Sequence, residues 1–386
     1  MARSDDQRWH PFRPTTADLE RIAQDVSEIP AIQQKAHDTN KNLLFPERVA
    51  HQYQVAGSKV IFRVATDLPD PLQGVGLFQP GAEHVGIGRI STGLGIPHAE
   101  TLPDFLGIMV AFQTNDGQRV DILGINDPTA PADNHRDFMD ILHATGESAG
   151  ADVPFVAELA QQTVFGAALL RRMGPIKALG TVAHIARQTI PTTHSSTAFQ
   201  PYWTGIAEVG GTGGKFTFVP VVDDNRFPGL RPGQRHLTEE WRGRQARGDI
   251  AFGLHWIAFL DEARTPTHRL THNWEEDHKQ LVGTIVFPQV DPDAEEGQLW
   301  AILASEMGAN PGNWIADKQN SIQEPATEFA VARKIAYQRS QQGRNVLPPE
   351  RYQTVFRGAP ISPELAAELR RRRRQKADAG HVNQAP

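Results

Sequence analysis

The sequence predicts an α+β fold, with about eight antiparallel strands closed into one barrel and helices packed around it. Three observations carry that expectation. Short β-rich runs, punctuated by Gly, Pro, Asn and Asp, fall into two groups. A helical stretch joins the groups, and helical texture returns at both ends of the chain. No internal repeat and no long linker divides the 386 residues, which are 39% apolar and 22% charged, enough to bury a sizeable core.

In chain order, residues 17–40 mix charges with apolar positions and read as helix. Strands are expected at 58–66, 74–78, 84–91, 105–114 and 119–125, with TNDGQ at 114–118 as a hairpin turn. Residues 135–146 and 153–172 form the helical insertion. Strands resume at 202–209, 215–222, 250–260 and 281–288, and helices at 295–307, 326–341 and 362–376. Ser362 caps the last helix with Pro363 in its first turn. The expected division is a helical arm over 1–44, the barrel with its insertion over 45–345, and a C-terminal helix and tail over 346–386. The tail beyond Gly380 is expected to be disordered, and the Arg370–Arg374 run to be a solvated helix end complementing the helix dipole.

Charge and composition exclude several classes. Lys and Arg number 39 against 45 Asp and Glu, a net charge of −6 that argues against a nucleic-acid partner. The absence of cysteine removes disulfides, thiolate metal sites and thiol nucleophiles. No secretory signal is legible at the start, and no run approaches the roughly 18 apolar residues of a membrane span. A cytoplasmic protein with no membrane partner is expected. GGTGGK at 210–215 lacks the spacing and the Ser or Thr of a phosphate loop and reads as a glycine-rich hairpin. His255, His268 and His272 lack metal-ligand spacing and read as ordinary strand or surface residues.

Four segments carry candidate chemistry. In EFAVARKIAYQRSQQGR, Arg333, Tyr337 and Arg344 fall at about 0°, 40° and 20° around a helix axis, so two guanidiniums and a phenol share one face. Arg48 stands three residues before His51, at a strand edge. Arg89 and Ser91 alternate on one side of a strand. Asn126 ends an apolar strand ahead of an Asp-Pro turn signal. Taken singly, a strand-edge histidine or a turn asparagine is more often structural than catalytic.

Taken in order, the four resemble the haem catalase superfamily, and more closely its short, catalase-related peroxidase branch. Catalases read RVVH where this chain has RVAH at 48–51, RFST where it has RIST at 89–92, and DLVGNNTP where it has DILGINDP at 121–128. They also place one Arg four residues before the proximal Tyr and another seven after it, as Arg333, Tyr337 and Arg344 stand here. The resemblance spans about residues 45–344. It implies haem b with Tyr337 as the iron ligand, Arg333 stabilising the phenolate, and Arg48, Arg89 and Arg344 meeting the propionates. It further implies His51 as the distal acid–base group, oriented by Ser91, and Asn126 as a hydrogen-bond donor to the bound peroxide.

The implied activity is a haem hydroperoxidase working through a ferryl state, with a peroxide substrate, a small-molecule electron donor and a homo-oligomeric assembly. Departures from the catalase pattern bear on the substrate. The phenylalanine pair after the asparagine motif is replaced by NDPTAP, and Ala50 replaces valine before His51. Bulk is lost from the distal side unless Tyr53 or Phe138 restores it, so organic hydroperoxides are expected in preference to hydrogen peroxide. Competing expectations are a hydroperoxide isomerase or dehydratase of the allene oxide synthase type, a non-catalytic haem-binding protein, and a haem-free barrel for a small apolar ligand.

Overall fold

Ten strands hydrogen-bond into one antiparallel sheet in the computed structural model, which describes residues 9–39, 46–93, 100, 103–148, 155–190, 196–221, 236–313, 322–323 and 326–378. They are β1 (Gln54–Val64), β2 (Glu83–Thr92), β3 (Leu106–Gln113), β4 (Arg119–Ile125), β5 (Tyr202–Thr204), β6 (Ala207–Val209), β7 (Thr212–Pro220), β8 (Ile250–Ala258), β9 (Gln280–Phe287) and β10 (Ile322–Gln323). Pairing of β7 with β8 closes the order β7–β5–β4–β3–β2–β1–β9–β8 into an eight-stranded barrel. β6 lies beyond β5 on the same edge of β7, and β10 pairs with β6.

Side-chain alternation sorts each strand into two faces. Ile108, Val110 and Phe112 of β3 point into the barrel, where Phe62, Phe216, Phe252, Trp256 and Phe287 are also buried. Each such side chain contributes roughly 1.5–3 kcal/mol by leaving water. Gly107, Met109 and Ala111 therefore lie on the outer face. Met109 and Ala111 pack there beside α7 (Glu295–Glu306) and α9 (Pro363–Asp378).

The helices α1 (Thr16–Asp25), α2 (Ile29–Thr39), α3 (His135–Ser148) and α8 (Glu328–Gln342) share a second apolar cluster containing Ile22, Ile32, Met139, Leu142 and Val331. α4 (Phe155–Met173) and α5 (Pro175–Thr189) pack on α3 through Ala144, Leu169 and Ala178. No helix among the described residues is long and apolar enough to cross a membrane.

Several elements differ from expectation. The first helix is two, split between Val26 and Glu28. Thr15 and Asp18 form a capping box at the start of α1, and Pro30 stands in the first turn of α2, where its missing N–H costs nothing. Residues 74–78 form a turn rather than a strand. Gly74 and Gly76 adopt positive φ, while Leu77 and Phe78 plug the barrel core. α5 and α6 (His236–Arg247) lie outside the helices that the sequence predicts. In α6, Leu237, Trp241 and Gln245 are buried among many charges, so no single apolar stripe announces the helix.

Ser362 does cap α9 by accepting from the Leu365 amide. The arginine run on α9 is not wholly solvated, however. Arg372 turns inward onto Glu306, Glu368 and the Asn345 carbonyl. GGTGGK is a hairpin between β6 and β7, with Gly210 and Gly211 at positive φ. His255 lies on β8, and His268 and His272 are exposed. The tail beyond Gly380 lies outside the described residues.

Candidate active site

The outer faces of β2, β3, β4 and β7 form one wall of a cavity of about 580 Å³, and α2, α3, α5 and α8 form the other. Seven of the eight residues singled out from the sequence line it: Arg48, His51, Arg89, Ser91, Arg333, Tyr337 and Arg344.

His51 precedes β1 with φ 55°, a left-handed conformation uncommon for a residue with a side chain. Its backbone is held on both sides. The His51 amide donates to the Gly93 carbonyl at 2.7 Å, and its carbonyl accepts from Arg89 Nη2 at 2.8 Å. Its Nδ1 lies 3.2 Å from Ser91 Oγ. The imidazole rests on Gly107 of β3. A Cβ at that position would stand 2.5 Å from Nδ1, so only glycine leaves room. Burial pushes the His51 pKa down to about 4, with the Asp104 carboxylate opposing the shift and Arg89 and Arg333 adding to it. The ring is therefore neutral near pH 7.

Asp104 is a wall residue that sequence reasoning passed over. Its carboxylate, buried, accepts from the Gly93 and Phe105 amides at 2.8 and 2.7 Å and thereby ties the end of β2 to the start of β3. A lone Asp in TLPDFLGI carries no spacing signal.

Three guanidiniums crowd one end, Arg89 buried and Arg48 and Arg344 half-buried. Arg89 donates to Gln54 Oε1 and to the carbonyls of His51 and Gln52. Arg48 donates to the carbonyls of Ser305 and Met307, and Arg344 Nε to the carbonyl of Ser340. None of the three forms an ion pair among the described residues. Burial, with the neighbouring Arg48, brings Arg344 down to about 9, and burial with Arg48 and Arg344 brings Arg89 well below its ordinary value. Glu47 stands behind the cluster, but Lys376 claims its carboxylate at 3.0 Å. A group bearing carboxylates would relieve this mutual repulsion.

On α8, Arg333, Ala336, Tyr337 and Ser340 line the cavity at helical spacing. The Arg333 guanidinium lies 5.9 Å from the centroid of the Tyr337 ring, over its face rather than bonded to its hydroxyl. Gly205 makes room for it, since a Cβ there would be 3.1 Å from Nη1. Arg344 follows Gly343, the C-cap of α8, so it reaches the cavity from just past the helix end.

Asn126 does not line the cavity. Its Oδ1 accepts from the Leu106 amide at 2.7 Å, and its backbone amide donates to the Leu106 carbonyl at 3.0 Å. The carboxamide oxygen thus helps join β3 to the end of β4, and Ile125 and Asp127 line the wall on either side of it. Of the two aromatics considered as distal filling, Phe138 lines the cavity, 5.5 Å from Phe329. Tyr53 is buried in the barrel core instead.

This architecture is similar to three solved catalases. A fungal catalase matches with a TM-score of 0.58 and 16% identity, covering 83% of this chain and 62% of that one. A bacterial catalase matches at 0.55 and 18%, covering 87% and 64%. Catalase A from Saccharomyces cerevisiae matches at 0.56 and 16%, covering 83% and 64%. The chain has the catalase fold. Within that fold it spans less than two thirds of the length of each of these proteins. No family model matches the sequence, and no curated protein does.

The donor set of the cavity suits haem. It offers a phenol on one wall, a neutral imidazole on the other, and three guanidiniums without ion-pair partners among the described residues. Among those residues no cluster of three His, Asp or Glu could hold a bare metal ion.

Proposed function

We propose that the chain is a haem-dependent hydroperoxidase that acts on organic hydroperoxides and draws electrons from a small-molecule donor. The observation that carries this reading is the crowding of Arg48, Arg89 and Arg344, without ion pairs among the described residues, in the cavity that also holds Tyr337 and His51. Tyr337 would ligate the iron as phenolate, with the Arg333 charge favouring that form, and the three other arginines would meet the propionates. When bound, haem supplies the redox chemistry that splits the oxygen–oxygen bond.

The chain's own part is proton handling and access. His51, neutral near pH 7, accepts a proton at Nε2 from the hydroperoxide and returns it to the departing oxygen. In the tautomer whose Nδ1–H donates to Ser91 Oγ, the Nε2 lone pair is the acceptor. Gly107 and Ser91 fix the plane of the ring. Asn126, absent from the cavity lining, is given no role. The mostly apolar lining supports organic hydroperoxides over hydrogen peroxide, with Phe138, Phe165 and Ile185 in the wall.

The test is an absorption spectrum of the purified protein, followed by kcat/KM for cumene hydroperoxide and for hydrogen peroxide with an added phenolic donor. A Soret band and preference for the organic peroxide are expected. Rapid oxygen evolution from hydrogen peroxide would make the protein an ordinary catalase. Rearranged products without donor consumption would make it an isomerase, and the lack of any Soret band after haem is supplied would reject the reading.

A further inference from the structure

Lys215 lies on β7, on the face opposite Phe216 and Phe218, and its side chain lines the same cavity although it is 4% exposed. One cross-strand row leads to it from the imidazole. Gly107 pairs with Ile125, Ile125 with Trp203, and Trp203 with Thr217, and Lys215 is two residues along from Thr217 on the same face. Three strand spacings separate the ends of that row, about 14 Å around the sheet. The ammonium is thus apart from the arginine cluster.

Its compensation is thin. An ammonium has three donors. Lys215 Nζ uses one, at 3.3 Å to the Pro128 carbonyl, and otherwise faces the Trp274 ring at 4.8 Å. It forms no ion pair among the described residues. The two acids whose charges bear on it, Glu276 and Asp127, form no ion pair with it. Asp127 accepts from Thr129 and Gln188, and Glu276 from Trp203 Nε1. Burial pushes the Lys215 pKa down to about 8, partly opposed by Glu276 and Asp127. If the position only filled space against Trp274, methionine would do so without desolvating a charge. The remaining wall is mostly apolar and reaches the surface at Val182 and Ile190, which are 38% and 58% exposed.

We propose that Lys215 is a carboxylate-binding site, and that the cavity takes amphipathic carboxylic acids whose hydrocarbon chain lies along the wall formed by Phe138, Phe165, Ile185 and Ile190. This deepens the hydroperoxidase reading by naming its substrate as an acid-bearing hydroperoxide, and it rests on that reading only for the reactive group.

The experiment is calorimetric titration of the purified chain with dodecanoate and with methyl dodecanoate, which involves no turnover. Dodecanoate should bind about tenfold more tightly or better, the worth of one charge-assisted hydrogen bond. Lys215→Met should remove that preference while leaving the ester's affinity in place, and Lys215→Arg should retain much of it. Equal affinity of the wild type for acid and ester overturns the proposal, and so does a preference that survives Lys215→Met, since the acid would then sit on the arginine cluster. The wild-type comparison stands even if a variant fails to fold. Acid preference in a protein that consumes no hydroperoxide would sink the hydroperoxidase reading and leave this site standing.

Discussion

The Arg89 guanidinium donates to the main-chain carbonyl of His51 at 2.8 Å. A residue expected to meet a haem carboxylate is here a strut beneath the His51 imidazole. The contact matters because His51 is held at φ 55°, a conformation that persists only where its surroundings impose it. Arg89→Met would remove three donors and strand the carbonyls of His51 and Gln52, at about 1–3 kcal/mol for each group left unsatisfied. Loss of a guanidinium that repels Arg48 and Arg344 offsets part of that cost. The expected outcome is destabilisation of about 2 kcal/mol in urea denaturation, with the His51 ring mobile. A variant as stable as wild type, with unchanged activity, would show that β1 and β2 hold the loop without it.

Gly107→Ala is a sharper probe. The added methyl would stand 2.5 Å from His51 Nδ1 and 3.1 Å from Ser91 Oγ, so the imidazole must move while the strand pairing is untouched. Misplacing a general acid–base group costs about 10²–10⁴-fold. Hydroperoxide turnover should fall by that order, with haem content and urea midpoint nearly unchanged. Wild-type turnover in this variant would mean that His51 handles no proton.

How much of this was legible from the chain depends on period. The cavity face of α8 could be read because Arg333, Ala336, Tyr337 and Ser340 repeat at helical spacing. Most strands could be read from alternation and turn residues. Roles set by partners distant in sequence could not. Gly107 matters through an imidazole 56 positions before it in the chain, and Asp104 through the Gly93 amide. The direction of Asn126 is decided by the Leu106 amide across the ladder, which no local pattern reveals. Lys215 reads as an ordinary outward lysine on a strand until the loop bearing Pro128 and Trp274 close over it.

Tyr337 and Arg333 make separable contributions. Tyr337→Phe removes the phenol oxygen without altering the packing of α8, so haem titration should show affinity lowered by an order of magnitude or more and a changed Soret band. Arg333→Met keeps the phenol and should bind haem better than Tyr337→Phe. Its guanidinium lies over the ring rather than on the hydroxyl, so it acts through charge, and its loss should raise the pH needed to form the iron–phenolate spectrum. Identical spectra for Tyr337→Phe and wild type would remove the ligand assignment.

The pH profile follows from His51. Burial holds its pKa near 4 in the folded chain, against about 6.5 when unfolded. The base is therefore available across the neutral range. Turnover limited by proton uptake should stay level from pH 8 down to about 5, then fall as pH drops through about 4. Stability has the same sign. Between pH 6.5 and 4 the unfolded chain binds a proton that the folded chain does not, so the contribution of this site is intact above about 6.5 and is lost as pH falls through the folded value. Two measurements test the pair: the pH dependence of kcat/KM for an organic hydroperoxide, and the urea midpoint of wild type against His51→Gln across the same range. The midpoint difference between the two proteins should narrow as the pH falls from 7 to 4, because glutamine has no proton to gain. If the acid limb of kcat/KM lies at pH 6–7 and the midpoint difference is constant, the imidazole is not held neutral by burial, and another group must set the profile.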